Sequence, residues 1–141
     1  MSRQDCLMRH AKKKVLQCIA LFSVLYIVGL YLLMLLYRVG GGRQPVNHVN
    51  AFALGISATY VGAWFARKQG HLFSRQEYIG VVIGSFIIDS AFQILVIYQL
   101  RGLSFVFRSW CAISFVGAAH LVILATCYSA KMVSRLLPKG M

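Results

Sequence analysis

The stretch VLQCIALFSVLYIVGLYLLMLLY, residues 15–37, decides the fold class of this protein because it contains no charged side chain. A helix rises about 1.5 Å per residue, so a run of this length crosses the roughly 30 Å hydrocarbon core of a bilayer. The apolar region of a cleaved signal peptide is shorter, about 7–15 residues. We therefore predict a retained transmembrane helix.

The composition agrees with a membrane protein. Of the 141 residues, 59% are hydrophobic and 13% are charged, whereas soluble domains have about 45–50% apolar and about 25% charged residues. Three more apolar runs follow the first one. We predict an all-α integral membrane protein in which residues 1–141 form a single transmembrane domain, with spans at 15–37, 49–66, 78–100 and 109–130.

Basic residues lie mainly between these runs: the chain has 15 Lys and Arg against three acidic residues. Eleven of the basic residues lie in the tails, 1–14 and 131–141, and in the loop before the third span. The positive-inside rule then predicts that both termini are cytoplasmic. The short loops predict an up-down antiparallel bundle. The basic segments indicate contact with anionic lipid head groups rather than with nucleic acid.

Small residues recur at helical spacing in the second and third spans. Gly55 and Thr59 belong to one row of small residues spaced by four, Gly62 belongs to another, and Gly80 and Gly84 form a GxxxG pattern. Rows of this kind let two helix backbones approach closely in lipid. We therefore predict that these five residues are helix-packing positions.

The start of the third span has a capping signal. Ser74 is followed three residues later by Glu77, which is the spacing of a capping box. We interpret Glu77 as a cap rather than as a catalytic acid.

The middle of the membrane contains one acid and one imidazole. A charged Asp at this depth costs about 2.5–3.5 kcal/mol, so Asp89 needs a partner inside the bundle. His120 lies at the matching depth of the next span, and we predict that the two side chains touch. Ser85 and Gln93 share the helix face of Asp89 and support the pair. The pair either fixes the helix packing or handles a proton, since His titrates near neutral pH.

Patterns for other chemistry are missing from the sequence. The four cysteines form no CxxC pair, so no zinc site or thiol relay is indicated. The glycines at 40–42 are not followed by the Lys-Ser/Thr of a phosphate-binding loop. We expect no enzyme activity, no metal and no cofactor.

One part of the chain carries a resemblance to a known family. It consists of GISATY at residues 55–60, the short basic connector after it, and SRQE at residues 74–77. This part, under half of the chain, resembles a family of small, uncharacterised bacterial inner-membrane proteins with four predicted spans. The resemblance implies a bacterial cytoplasmic membrane and supplies no activity and no catalytic residue.

Three functional hypotheses remain open at this point. The first is a non-enzymatic membrane binding protein, most concretely an immunity protein that neutralises a membrane-acting toxin made by the same cell. The second is a small proton-coupled transporter that uses Asp89 and His120. The third is an accessory subunit of a membrane complex. The expected partners are the bilayer and either a membrane-embedded protein or a second copy of the chain.

Overall fold

The computed structural model describes residues 3–39, 46–102, 104 and 108–137. The described residues form five α-helices: α1 (Arg3–Val39), α2 (Val46–Gln69), α3 (Arg75–Arg101), α4 (Trp110–Cys127) and α5 (Ala130–Leu136). Four of them contain segments long and apolar enough to cross a membrane, namely Lys12–Leu36, Val49–Gln69, Arg75–Gln99 and Trp110–Cys127. The all-helical class and the number of candidate spans agree with the sequence prediction.

The helices extend beyond the predicted spans. α1 begins at Arg3, so most of the predicted tail 1–14 is helical. Lys, Arg, Gln and Ala have high helix propensity, and the helix therefore begins before the apolar run does. Residues 1–2 and 138–141 of the two predicted tails lie outside the described residues.

The predicted fourth span, 109–130, is wrong at its C-terminal end. α4 ends at Cys127, and a separate helix, α5, begins at Ala130 and occupies part of the predicted basic tail. Ser129 is the N-cap of α5, and its Oγ accepts a hydrogen bond from the backbone N–H of Met132 at 3.3 Å. A cap at Ser129 interrupts the helix but does not change the hydropathy of the sequence. The apolar pattern therefore did not reveal the break.

The four long helices form a bundle in which α1 and α4 each pack against both α2 and α3. The segment between α1 and α2 holds six residues and the segment between α2 and α3 holds five; at about 3.5 Å per extended residue both are too short to run back along a span. α4 runs opposite to α3, since Asp89 contacts His120 while Ser85, one turn earlier, contacts Tyr128. Consecutive helices therefore run in opposite directions, as predicted. α2 and α3 are neighbours in the sequence but lie diagonally opposite each other in the bundle.

A close approach of α1 and α3 explains this arrangement. A Cβ added at Gly84 would lie 2.7 Å from Cγ1 of Ile19, and one added at Gly80 would lie 3.1 Å from Cγ1 of Val15. A Cβ at Gly84 would force the side chain of Ile19 to move, and one at Gly80 would be in tight contact with Val15. Glycine therefore allows the closest approach at both positions. The GxxxG pattern of α3 therefore sits against α1 and brings the two helices, which run parallel, into contact.

The two small-residue rows of α2 differ in their surroundings. A Cβ added at Gly62 would lie 2.9 Å from Cγ2 of Val133, so this row packs against α5. Gly55 has no atom within 4 Å of an added Cβ, and Thr59 is half-buried beside an open groove. The close approach that the sequence predicts at Gly55 is therefore not made within the described part of the chain.

The turn between α2 and α3 is fixed by two local signals. Gly70 has φ +70°, and its N–H donates to the carbonyl oxygen of Ala66 at 2.9 Å. This left-handed glycine ends α2. At the start of α3 the backbone N–H of Ser74 donates to Oε2 of Glu77 at 2.9 Å, and Ser74 Oγ accepts from the N–H of Glu77 at 3.4 Å. The structure thus contains the capping box at Ser74 and Glu77.

Candidate functional site

All four long helices contribute a polar side chain to the centre of the bundle. These side chains are Tyr26 from α1, Asn50 from α2, Asp89 and Gln93 from α3, and His120 from α4, and we call them the polar cluster. Around them lies an apolar core of aromatic and aliphatic side chains. The polar cluster is therefore the point at which the four helices are joined by hydrogen bonds.

Helical spacing places each member of the cluster. Tyr26 follows Phe22 by one turn on the buried face of α1, and the two rings stack with centroids 5.5 Å apart. Asp89 and Gln93 are one turn apart on α3, so both point toward the same neighbour. His120 is one of two residues that α4 buries in the described structure.

Three atoms of the cluster form a triangle. Oδ2 of Asp89 lies 2.8 Å from Nδ1 of His120, and Nε2 of Gln93 lies 2.8 Å from each of these two atoms. The amide of Gln93 only donates from this nitrogen, and Asp89 Oδ2 accepts one of its protons.

The number of protons in the triangle depends on how Asp89 and His120 share them. When Nδ1 of His120 carries a proton, it donates to Asp89. When Nδ1 is bare, the short distance to Asp89 requires a proton on the carboxyl group, which then donates to the single lone pair of Nδ1. One proton between Asp89 and His120 therefore satisfies their 2.8 Å contact on whichever side it resides.

The second carboxylate oxygen of Asp89 contacts α1. The hydroxyl oxygen of Tyr26 lies 2.7 Å from Asp89 Oδ1 and 2.5 Å from Asn50 Oδ1. A phenol has one proton to donate. Donation to Asp89, with the Asn50 amide turned so that its NH₂ donates to Tyr26, satisfies all three groups. The oxygen and nitrogen of an amide side chain are assigned from the hydrogen bonds that they make.

The cluster is closed to its surroundings. Asp89 is 0% exposed, His120 4% and Asn50 9%. Within the described part of the chain, every buried side-chain nitrogen and oxygen has a hydrogen-bond partner. A buried charge is tolerated only with such partners, because an unpaired polar group in an apolar interior costs several kcal/mol. The fully hydrogen-bonded cluster therefore favours one packing arrangement of the four helices.

The structure brings some of the predicted site residues together and separates one. Asp89, His120 and Gln93 meet in the cluster. Ser85 lies on the same face of α3, but its Oγ is 3.1 Å from the hydroxyl of Tyr128 and contacts the end of α4 instead.

Sequence reasoning missed Tyr26 and Asn50. Each is a polar group inside or beside an uncharged run, and that was the available signal. It is a weak signal, because Tyr is also common at membrane interfaces and Asn50 stands near the start of its span.

The described residues contain no group of three or more His, Cys, Asp or Glu side chains that could hold a metal ion. Comparisons with family models, with curated proteins and with solved structures found no match to this chain. The polar cluster and the surfaces of the bundle are therefore the features that bear on function.

Proposed function

We propose that this protein is a small proton-coupled membrane transporter in which the Asp89–His120 pair carries the proton. The observation that supports the proposal is the triangle of 2.8 Å contacts between Asp89, His120 and Gln93. Ionisable residues inside a membrane bundle recur in proton relays. This pair joins α3 to α4, and Tyr26 links it by hydrogen bonds to α1 and, through Asn50, to α2.

The charge of the cluster gives a coupling mechanism. With Nε2 of His120 protonated and one further proton shared between Nδ1 and the Asp89 carboxylate, the pair is neutral. A second proton would leave a net positive charge in the bundle, and loss of the shared proton would leave a negative one. Either charge is costly away from water or a counter-ion. Gain or loss of a proton therefore favours a packing that opens the cluster, and the structure corresponds to the closed form.

A direct test counts protons and needs no known substrate. The purified protein in detergent is shifted from pH 8 to pH 5, and proton uptake is measured with a pH-sensitive dye for the wild type, Asp89→Asn and the control Ser114→Ala, which changes an exposed residue of α4. We expect the proton uptake of Asp89→Asn to differ from that of the wild type and the control, because this variant lacks one of the two proton-binding groups of the pair. Equal uptake by all three proteins would contradict the proposal.

The transport step has its own test. The same three proteins are reconstituted in liposomes, and movement of ethidium, a lipophilic cation, is followed under an imposed pH gradient. We expect Asp89→Asn to abolish movement that depends on the gradient, while Ser114→Ala leaves it unchanged. Movement of the cation that is unaffected by Asp89→Asn would remove the cluster from the transport step.

A second candidate function is a non-enzymatic binding protein, and the surface of α4 favours it. α4 buries only His120 and Leu124 in the described structure. Its outer side carries Ser114 and Ala118, both exposed, beside Phe115, which is 79% exposed. Small and hydroxyl-bearing residues are suited to contact with another transmembrane helix. The partner would be a membrane-embedded protein, a toxin in the immunity version of this function.

Cells with and without the gene, challenged with the product of each neighbouring gene, would test the immunity version. We expect protection that Phe115→Ala and Ala118→Leu weaken and that Asp89→Asn leaves in place. Absence of protection against every neighbouring product would exclude it. Co-purification of a stable complex after gentle detergent extraction would instead favour an accessory subunit.

We also propose a location and an orientation. In the described structure, the N-terminal part of α1, the turn at 70–74 and the α4–α5 junction lie at one end of the bundle, and this end carries Lys12–Lys14, Arg67, Lys68, Arg75, Lys131 and Arg135. The positive-inside rule places such an end in the cytoplasm. We propose a bacterial cytoplasmic membrane with both termini inside.

A further inference from the structure

A groove runs along the outer side of α2. Its floor is the row of small residues Ala51, Gly55, Thr59 and Ala63, and its volume is about 640 Å³. From Ala51 to Arg67 the helix rises about 24 Å. The groove is therefore longer than the hydrocarbon part of one membrane leaflet, which is about 15 Å thick. No side chain of the described structure fills the space above Gly55.

Large side chains border the groove on both sides. Phe52, Ile56 and Tyr60 protrude from α2 at one side and are 68%, 61% and 57% exposed. Leu136 from α5 and Cys127 from α4 form the other side near the basic end. These two borders flank an elongated apolar channel, which suits an extended flexible chain.

The channel ends at a cation. Arg67 lines the groove at the basic end of the bundle and is exposed. Trp64, one turn earlier, also lines it, and the Lys68 ammonium lies 4.6 Å from the centre of the Trp64 ring. Trp is the residue that membrane proteins place at head-group depth. A guanidinium can bind a phosphate with two parallel hydrogen bonds.

We propose that this groove is a binding site for an anionic phospholipid, with an acyl chain along Ala51, Gly55 and Thr59 and the phosphate at Arg67. The apolar floor and the terminal cation match the two parts of such a lipid. The site shares no residue with the polar cluster, so the proposal stands or falls separately from proton-coupled transport.

A second groove, between α1 and α3, shows why the α2 groove is preferred. It has a volume of about 360 Å³ and is lined by Lys12 and by Glu77. The carboxylate of Glu77 in that lining repels a phosphate, whereas the residues that line the α2 groove include no acid. Charge complementarity therefore singles out the α2 groove among these two.

The test measures lipid binding to the full chain by native mass spectrometry and by thermal shift in detergent, with phosphatidylglycerol as the probe. Phosphatidylcholine and glycerol phosphate are the comparison ligands. Arg67→Gln removes the proposed phosphate contact. Arg75→Gln is the matched control, since it removes one positive charge at the same end but lines a different cavity. Gly55→Leu fills the channel at a position where the structure leaves open space.

We expect Arg67→Gln to weaken phosphatidylglycerol binding about five-fold, the effect of one cation at a membrane surface, and Arg75→Gln to leave it unchanged. Gly55→Leu should weaken it as well, and glycerol phosphate should give no thermal shift. Equal losses in Arg67→Gln and Arg75→Gln would show diffuse attraction to the basic end and overturn the proposal. Equal binding of phosphatidylcholine, or unchanged binding in Gly55→Leu, would also overturn it.

Discussion

The carboxylate of Asp89 and the imidazole of His120 lie 2.8 Å apart at the centre of the bundle. They come from adjacent antiparallel helices, and both are almost completely buried. Each side chain offsets part of the free-energy cost of burying the other in the apolar interior. The effects of substituting the two residues on stability should therefore be coupled.

A double-mutant cycle should detect that coupling. We expect Asp89→Asn and His120→Gln to show an interaction free energy of about 0.5–3 kcal/mol in unfolding measured by SDS titration in mixed micelles. The control cycle pairs Asp89→Asn with Ser114→Ala, an exposed residue of α4, and should be additive within about 0.5 kcal/mol. Additivity in both cycles would mean that Asp89 and His120 are not coupled.

Tyr26→Phe should destabilise the bundle while keeping the aromatic ring. The change removes the hydroxyl that donates to Asp89 at 2.7 Å. We expect a loss of about 1–2 kcal/mol in the free energy of unfolding. Tyr98→Phe is the matched control, since Tyr98 is 52% exposed. Equal stability of Tyr26→Phe and the wild type would show that the hydroxyl contributes nothing.

Adding a methyl group should have opposite effects at two glycines. Gly84→Ala forces the new Cβ against Ile19, and we expect a loss of about 1–3 kcal/mol from overpacking. Gly55→Ala meets open space and should be neutral or stabilising by up to about 1 kcal/mol, since Ala has the higher helix propensity. Thermal unfolding in detergent measures both. The α1–α3 contact is disproved if Gly84→Ala is tolerated as well as Gly55→Ala.

The capping box at the start of α3 should respond to substitution in a graded way. Ser74→Ala removes the oxygen that accepts from Glu77 N–H at 3.4 Å. This bond is long, so we expect a loss near the low end of the usual range, about 0.5 kcal/mol. Glu77→Ala should cost more than Glu77→Gln, because the amide oxygen of Gln still accepts from the Ser74 backbone. Equal losses in Glu77→Gln and Glu77→Ala would indicate that the negative charge, which both variants lack, matters more than the hydrogen bond to the Ser74 backbone.

The proposed orientation can be tested with reporters fused to the C-terminus. We expect a green fluorescent protein fusion to fluoresce and an alkaline phosphatase fusion to be inactive, as for a cytoplasmic terminus. A fusion at Ser104, which lies between α3 and α4 in the sequence, should give the reverse pattern. The same pattern at both positions would contradict the up-down topology.

The pairing of Asp89 with His120 could be predicted from depth, because both stand near the middle of helices joined by a short loop. Tyr26 and Asn50 could not, since their place in the cluster depends on which helices are neighbours. The packing roles of the glycines show the same limit. Gly55 and Gly62 look alike in sequence, but of these two only Gly62 faces a neighbour among the described residues, the side chain of Val133.

The sequence by itself determined the helical class, the number of candidate spans, the basic end of the bundle and the cap at Ser74. These features follow from hydropathy and from hydrogen bonds between residues close in the chain. Only the tertiary structure decided that α2 and α3 lie diagonally opposite, that α4 breaks at Tyr128–Ser129, and that Tyr26 and Asn50 join the polar cluster. Those features depend on close packing between distant segments, and a one-dimensional pattern of polarity does not specify which helix faces which.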